Sequence, residues 1–426
     1  MPASIPLGYH VQPTNQKIGF CPAGRNTPIT ERLIRDDSDA GLVTIAGTGT
    51  GKGVSQVIPT ALTYPGSMYV IDVKGEIAEV TARRRREMGQ KVIILDPFGG
   101  ARDALNPMEL IDPRTEDAFD QCKRLARMMR PKTSDERDPF WDDSAEHIVA
   151  GTLLFLATHI HQEDRGLSLL YRMWGVADHL EEMLSCMMSC ELHDGAMMAA
   201  AKTYVDAPDK TAGSLLTTIR GHLDFLSSSH AKRSVDGGWG TLEKIRKGMT
   251  LTIYIRVPPH MTESHGKLLR LWLGAILTTV AERDYRPVVP DLFLVDEAAT
   301  LGYLEELLTA ASLLRGYGLR TWTFWQSIGQ IEGIYGKRAR DILDNAGTVS
   351  MFGAANAAAA RSLAEITGYE GQILGMARNE QVLCQRGNLP VRAHKLNYLK
   401  DPRYRGLFDP NPFYLEARAQ QSEVFV

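Results

Sequence analysis

What this sequence has little of narrows it first. Five cysteines (Cys21, Cys122, Cys186, Cys190 and Cys384) are scattered over 426 residues. They are too few and too dispersed for a disulfide framework, and a reducing cytoplasm fits that usage. Long apolar runs are missing as well. The longest, near 148–157 and 271–281, fall short of the roughly 20 residues that span a bilayer. The opening MPASIPLGYH lacks a basic stretch leading into an apolar core, so it does not read as a secretory signal, and the chain as given is expected to be soluble. Charge of one sign is not in excess, since 48 Lys and Arg face 51 Asp and Glu for a net −3. That balance excludes a wholly basic nucleic-acid coat while allowing a local basic groove. Internal repeats and long low-complexity segments are also lacking.

What is present is ordinary globular material, 44% apolar and 23% charged, long enough for two or three domains and a large core. Short runs rich in β-branched residues recur at 42–46, 68–72, 92–96, 252–257, 292–297, 321–326 and 349–353. Each is almost continuously apolar, as strands covered on both faces are. Helical patterns separate most of them, which predicts an α/β domain built on a mainly parallel sheet. From about Pro113 to Gly238 the alternation stops. DAFDQCKRLARMMR, AEHIVAGTLLFLATHIH, ADHLEEMLSCMMSC and SLLTTIRGHLDFL carry apolar residues at helical spacing. The division expected is a nucleotide-binding domain over 1–112 and 239–426, interrupted by an all-helical insertion over 113–238.

The chemistry begins at TIAGTGTGKGVSQVIPT. A strand runs into Gly47, Thr48, Gly49, Thr50, Gly51, Lys52 and then Gly53 and Val54, where a helix pattern starts. This strand–loop–helix order is the setting of a phosphate loop. Glycines let backbone N–H groups curl inward around phosphate oxygens, the helix adds its partly positive N-terminus, and Lys52 supplies a point charge to the β- and γ-phosphates. Both ends depart from G-x-x-x-x-G-K-[S/T]. Ala46 replaces the first glycine, where small size is the main need. Gly53 replaces the hydroxyl that ordinarily ligates Mg²⁺, so the metal must depend on water and on a carboxylate elsewhere. The plain alternative is an ordinary glycine-rich turn.

LFLVDEAATLG supplies the carboxylate. A buried strand ends at Asp296 and Glu297, on the edge where open parallel sheets bind ligands. Asp296 is the expected Mg²⁺ group, and Glu297 is expected to orient or deprotonate the attacking water. Gln326, ending the next strand in TWTFWQSIGQ, is placed either to touch the γ-phosphate or that water, or simply to cap the strand. Asp72, Lys74 and Glu76 end another strand on the same edge and read either as site residues or as a salt-linked turn. The run Arg83–Arg86 reads as a solvated helix terminus or as a small patch for DNA or anionic lipid. Cys186 and Cys190, four apart on a helix, have no partner pair at ligand spacing and read as core, and the Met-rich stretch 183–198 reads as core or as an adaptable partner surface on the helical domain.

Taken in order, these segments resemble the type IV secretion coupling proteins, or conjugative coupling ATPases, relatives of the FtsK/HerA DNA pumps. The resemblance rests on AGTGTGKGVSQVIPT, YVIDVKGEI, LDPF, LNPM, DPFWDDSAEHIVAG, TIYIRVPP, VDEAATLG, QSIGQIEGIYG and RGNLPVRAHKLNYLKD, spread over about 6–403. It makes Gly53 a family trait, since GKG is common there. It implies a RecA-like P-loop domain with an inserted all-helical domain. ATP and Mg²⁺ are the implied cofactors, and hydrolysis is implied to be stimulated by DNA. The implied task is delivery of DNA–relaxase complexes or protein effectors to a secretion channel at the cytoplasmic face of the bacterial inner membrane. Single- or double-stranded DNA, relaxase or effector proteins and other type IV secretion components are the implied partners. A ring of six copies is implied too, with ATP between neighbours and an arginine donated in trans. Arg315, in LLRGYGLRTW, stands where the family places a candidate finger, and it reads equally as the basic end of a helix. Arg338 is a weaker second candidate. The family usually begins with transmembrane helices, which LGYHVQP does not follow here. Either that anchor is removed or this member lacks one. Two other functions remain open: a cargo receptor using ATP only as an assembly switch, and a DNA-translocating ATPase outside secretion.

Overall fold

The computed structural model describes residues 4–11, 32–130 and 139–412. Cys21 and the Asp138 that opens DPFWDD lie outside them. The chain forms two compact units, the first of 1–92, 250–252 and 285–426 and the second of 93–249 and 253–284.

Eleven strands occur among the described residues: β1 (Ile5–His10), β2 (Leu33–Asp36), β3 (Gly41–Ile45), β4 (Met68–Ile71), β5 (Lys91–Leu95), β6 (Leu251–Ile255), β7 (Asp291–Val295), β8 (Leu319–Trp325), β9 (Ala346–Met351), β10 (Glu380–Gln385) and β11 (Val391–Lys395). The borders of the units fall inside β5 and β6. Within the first unit the order is β2-β1-β11-β10-β9-β3-β8-β7-β4. From β9 to β4 the strands are parallel. Every residue of β7 and β8 is buried, which is why these strands read as unbroken apolar runs. The other flank is antiparallel, so the sheet is mixed rather than mainly parallel. In this flank β1 and β10 keep mostly buried centres, while β11 is half-exposed and polar, as antiparallel strands tolerate.

A buried polar chain ties this flank to the phosphate-loop helix. Trp322 Nε1 donates to Thr44 Oγ1 at 3.0 Å, and Thr44 Oγ1 donates to Gln56 Oε1 at 2.8 Å. Gln56 Nε2 then donates to Gln381 Oε1 at 3.1 Å, and Gln381 Nε2 donates to the Leu7 carbonyl at 2.7 Å. Each member satisfies the next, so polar groups on β8, β3, β10 and β1 are buried without orphaning. Gly8 is confined by this chain, because a Cβ there would meet Gln381 Nε2 at 2.5 Å.

The Arg83–Arg86 run is a solvated helix terminus only in part: Arg86 is exposed and Arg83 and Arg84 are half-exposed, but Arg85 is not. The helix Glu76–Glu87 buries Ile77, Thr81 and Arg85 on one face, at the four-residue spacing of a helix stripe. Arg85 is fully buried. Its guanidinium donates to the Gly66 carbonyl at 2.7 Å, to the Tyr64 carbonyl, and through Nε to Thr252 Oγ1 at 2.8 Å. Arg83 pairs with Asp409 at 2.7 Å and with Glu87.

In the second unit, the described residues between Pro113 and Gly238 contain helices and no strand, as their periodicity predicts. The central helix Pro139–His159 is buried along Ile148–Ala157. It passes so near the helix Ala196–Val205 that a Cβ on Gly151 would lie 2.2 Å from that of Ala200. The compact unit extends beyond 113–238 on both sides. Glu109 accepts from the backbone N–H groups of Thr241 and Leu242 at 3.1 and 3.0 Å, capping the helix Thr241–Arg246. The helix Thr262–Ala281 lies against the helix Ala118–Met129, where a Cβ on Gly274 would meet Met128 Sδ at 2.7 Å. Met183, Met187 and Met197 are core, as expected. Cys186 is not: it is exposed and Cys190 half-exposed, because the helix Ala177–Met188 turns Leu180, Met183, Leu184 and Met187 inward instead. No metal-holding cluster of His, Cys, Asp or Glu occurs among the described residues, and none of their helices is long and apolar enough to cross a membrane.

Candidate active site

Parallel strands bring their C-terminal ends to one edge, and the first unit gathers its polar residues there. The loop 46–52 follows β3, Asp72 follows β4, Asp296 and Glu297 follow β7, and Gln326 follows β8. The registers Ile45↔Trp325 and Ile71↔Val295 hold these ends level.

The loop is curled by glycine. Gly49 and Gly51 have φ of 73° and 89°, a region that side chains with a Cβ seldom enter. Thr50 closes the curl by donating from N and Oγ1 to the Gly47 carbonyl at 3.2 and 2.6 Å. Gly53–Val57 form a π-helical turn that continues into the helix Ile58–Thr63. Wide turns of this kind concentrate at functional sites. The nearby Ser55 hydroxyl does not compensate for Gly53, because it donates back to the Gly51 carbonyl at 2.8 Å.

Lys52 reaches across to the acid pair. Its Nζ lies 2.8 Å from Glu297 Oε2, 2.6 Å from the Asp296 carbonyl and 3.7 Å from Asp296 Oδ1. Gln326 Nε2 donates to Glu297 Oε1 at 3.2 Å. Lys52, Asp296, Glu297 and Gln326, from three strand ends, therefore form one cluster. Burial raises the Asp296 pKa above the usual carboxylate range, opposed by Lys52 and reinforced by Glu297. Asp296 Oδ1 is buried and accepts no hydrogen bond. A carboxylate oxygen orphaned beside a phosphate loop fits a divalent cation, which would satisfy it.

Asp72 is a turn residue here. Its carboxylate accepts from Ala78 N at 2.7 Å and its carbonyl from Gly75 N at 3.0 Å, which fixes the start of the helix Glu76–Glu87. Arg315 stands apart from the cluster. It precedes β8, at the opposite edge of the sheet, and its Nη2 pairs with Asp39 Oδ1 at 2.6 Å. Arg338 pairs with Glu305 and Asp341, each at 3.2 Å. Neither arginine reaches this chain's own loop.

A cleft of about 750 Å³ opens beside the loop. Gly47–Thr50 and Gln326 form one wall, and Phe352, Asn356, Met376, Arg378 and Lys395 form the other. Sequence reasoning missed Lys395. Its Nζ donates to the Thr50 carbonyl at 3.0 Å and to the Arg378 carbonyl at 3.1 Å, and lies 4.0 Å from the Phe352 ring centroid. Burial lowers its pKa to about 8, which leaves it charged at neutral pH.

The fold and this strand-edge cluster define a P-loop nucleoside-triphosphate site in form. The family profile described as "Type IV secretory system Conjugative DNA transfer" matches residues 28–371, and the chain belongs to that family. Among its relatives, "Conjugal transfer protein TraG" of Agrobacterium fabrum is 28% identical over 306 residues, covering 70% of this chain and 45% of that protein. The chain spans about half the length of the curated relatives it matches first. The solved structure of the "Bacterial conjugative coupling protein TrwBdeltaN70" superposes with a TM-score of 0.66 at 17% identity, covering 87% of this chain and 89% of that one. "Plasmid coupling protein TrwB in complex with ADP and Mg2+" gives 0.65 at 17%, covering 85% and 88%. These likenesses show the fold: a RecA-like P-loop domain accompanied by a helical domain.

Proposed function

We propose that this chain is an ATP-hydrolysing coupling protein that hands DNA–relaxase complexes or protein effectors to a type IV secretion channel. The observation that carries this reading is the contact of Lys52 with Glu297 at 2.8 Å, beside the buried Asp296 Oδ1 that accepts no hydrogen bond. In this reading the amides of Gly47–Lys52 hold the triphosphate. Lys52 leaves Glu297 for the γ-phosphate, and the freed carboxylate takes a proton from the attacking water while Gln326 keeps it oriented. Mg²⁺ would be held by Asp296, with water in place of the hydroxyl that Gly53 lacks, and when bound it would neutralise phosphate charge. The solved complex of TrwB with ADP and Mg²⁺ supports the same pair of ligands here.

Arg315 belongs to this reading only in trans. Its place at the far sheet edge excludes its own loop and suits a ring, a hexamer by family resemblance, in which it serves a neighbour's site. The nucleotide-binding role falls to the first unit and cargo docking to the helical segment 113–238. Action at the cytoplasmic face of the inner membrane follows from the same reading.

The test is ATP turnover measured against protein concentration, with and without single-stranded DNA. Turnover per chain is expected to rise cooperatively with concentration and to increase when DNA is added. Turnover per chain that is independent of concentration and unmoved by DNA contradicts the shared-site motor. Cargo binding that survives Lys52→Ala unchanged would favour the receptor reading.

A further inference from the structure

We propose that Lys395 is a positioning residue of the nucleotide site, clamping the phosphate loop so that its amides stay turned toward the triphosphate. This rests on the phosphate-loop reading above. Lys395 ends β11, and its three contacts come from three separate stretches of the chain around the cleft. The Thr50 carbonyl lies in the loop, the Arg378 carbonyl in the stretch leading to β10, and the Phe352 ring just beyond β9.

The geometry of the peptide bond gives this clamp its effect. In a trans peptide the C=O of one residue and the N–H of the next point in opposite directions. Holding the Thr50 oxygen toward Lys395 therefore turns the Gly51 N–H the other way, into the curl of the loop. Little else fixes that plane. The bonds from Thr50 to Gly47 stay within the loop; Ser55 holds the Gly51 carbonyl through N and Oγ at 3.0 and 2.8 Å, but glycines at 49 and 51 leave the peptide between them able to rotate. No atom would meet a Cβ within 4 Å at Gly49, Gly51 or Gly53, so no neighbour packs against the loop at those three glycines. A lysine suits the position because two carbonyl oxygens and a ring face all present negative potential to one ammonium. Lys52 and Lys395 thus divide the work: one meets phosphate directly, the other acts through the Thr50–Gly51 peptide.

The full chain with Mg²⁺ is titrated with a fluorescent ADP analogue, and ATP turnover is measured in parallel. Lys395→Met keeps the aliphatic stem and removes the charge. It is expected to weaken ADP binding about tenfold, the loss of one charge-assisted hydrogen bond. KM for ATP should rise by a similar factor while kcat falls less than about threefold. Lys395→Arg should recover most of the affinity, which a merely structural role does not require. If Lys395→Met does not fold, Lys395→Gln, with a donor but no charge, carries the same test. Wild-type ADP affinity in a folded Met or Gln variant, or a loss confined to kcat, overturns the proposal. Wild-type protein that binds no ADP overturns the phosphate-loop reading itself, and this inference with it.

Discussion

Glu297→Gln is expected to lower ATP turnover by about 10²–10⁴-fold, the usual worth of a positioned general base, while leaving nucleotide bound. The amide has the shape of the carboxylate, and its one oxygen can still accept from Lys52, while its NH2 meets Gln326 only if that amide turns its own oxygen inward. It cannot accept the proton of the attacking water. Lys52→Ala should differ in kind, because it removes a charge that meets the triphosphate in binding and in reaction alike. Phosphate release at saturating ATP, paired with equilibrium binding of an ADP analogue, separates the two variants. Turnover within about tenfold of wild type in Glu297→Gln would move the base to another residue. The contact between Lys52 and Glu297 adds a second consequence. In the proposed mechanism each neutralises the other before nucleotide binds, and Glu297 is released as base when phosphate draws Lys52 away.

The largest stability effect is expected at β8. Arg320 and Asp36 are buried, at 1% and 2% exposure. They pair at 3.0 Å, and Arg320 Nε also donates to the Ala40 carbonyl at 2.8 Å. Asp36 in turn accepts from Ser38 N at 2.8 Å and from Thr348 Oγ1. Arg320→Met leaves a carboxylate in the core without its counter-charge, which costs about 3–5 kcal/mol. Replacing both residues, with Leu at 36 and Met at 320, should cost less than the single change, because no lone charge remains. Urea unfolding of the single and double variants measures this. A single variant within about 1 kcal/mol of wild type would reduce the pair to the level of a surface contact.

The cluster was legible in the sequence to the extent that strand ends were legible. Lys52, Asp296, Glu297 and Gln326 each follow an apolar run that only a central parallel strand explains, and parallel strands must deliver their ends to one edge. Lys395 gave no such signal. It lies 345 positions from Thr50, on a strand whose VRAHK pattern is half-exposed and polar. Only the antiparallel pairing of β11 with β10 and β1 brings it round to the loop. Arg85 misled for the opposite reason. Four consecutive arginines look solvated, yet a helix points each one in a different direction, and one of the four meets carbonyls in the core. The helical insertion was visible from periodicity, but the extent of its compact unit was not. Glu109 and the helix Thr262–Ala281 join it through contacts that are distant in sequence.

The central claim is that the curl of Gly47–Lys52 holds triphosphate while Asp296 and Glu297 face it across the strand ends. A crystal structure with Mg²⁺ and a non-hydrolysable ATP analogue tests it most directly. The account predicts phosphates within the loop, Lys52 moved from Glu297 to the γ-phosphate, and the metal on the Asp296 side. A nucleotide seated elsewhere, or a loop left empty at saturating analogue with Lys52 still on Glu297, would contradict it.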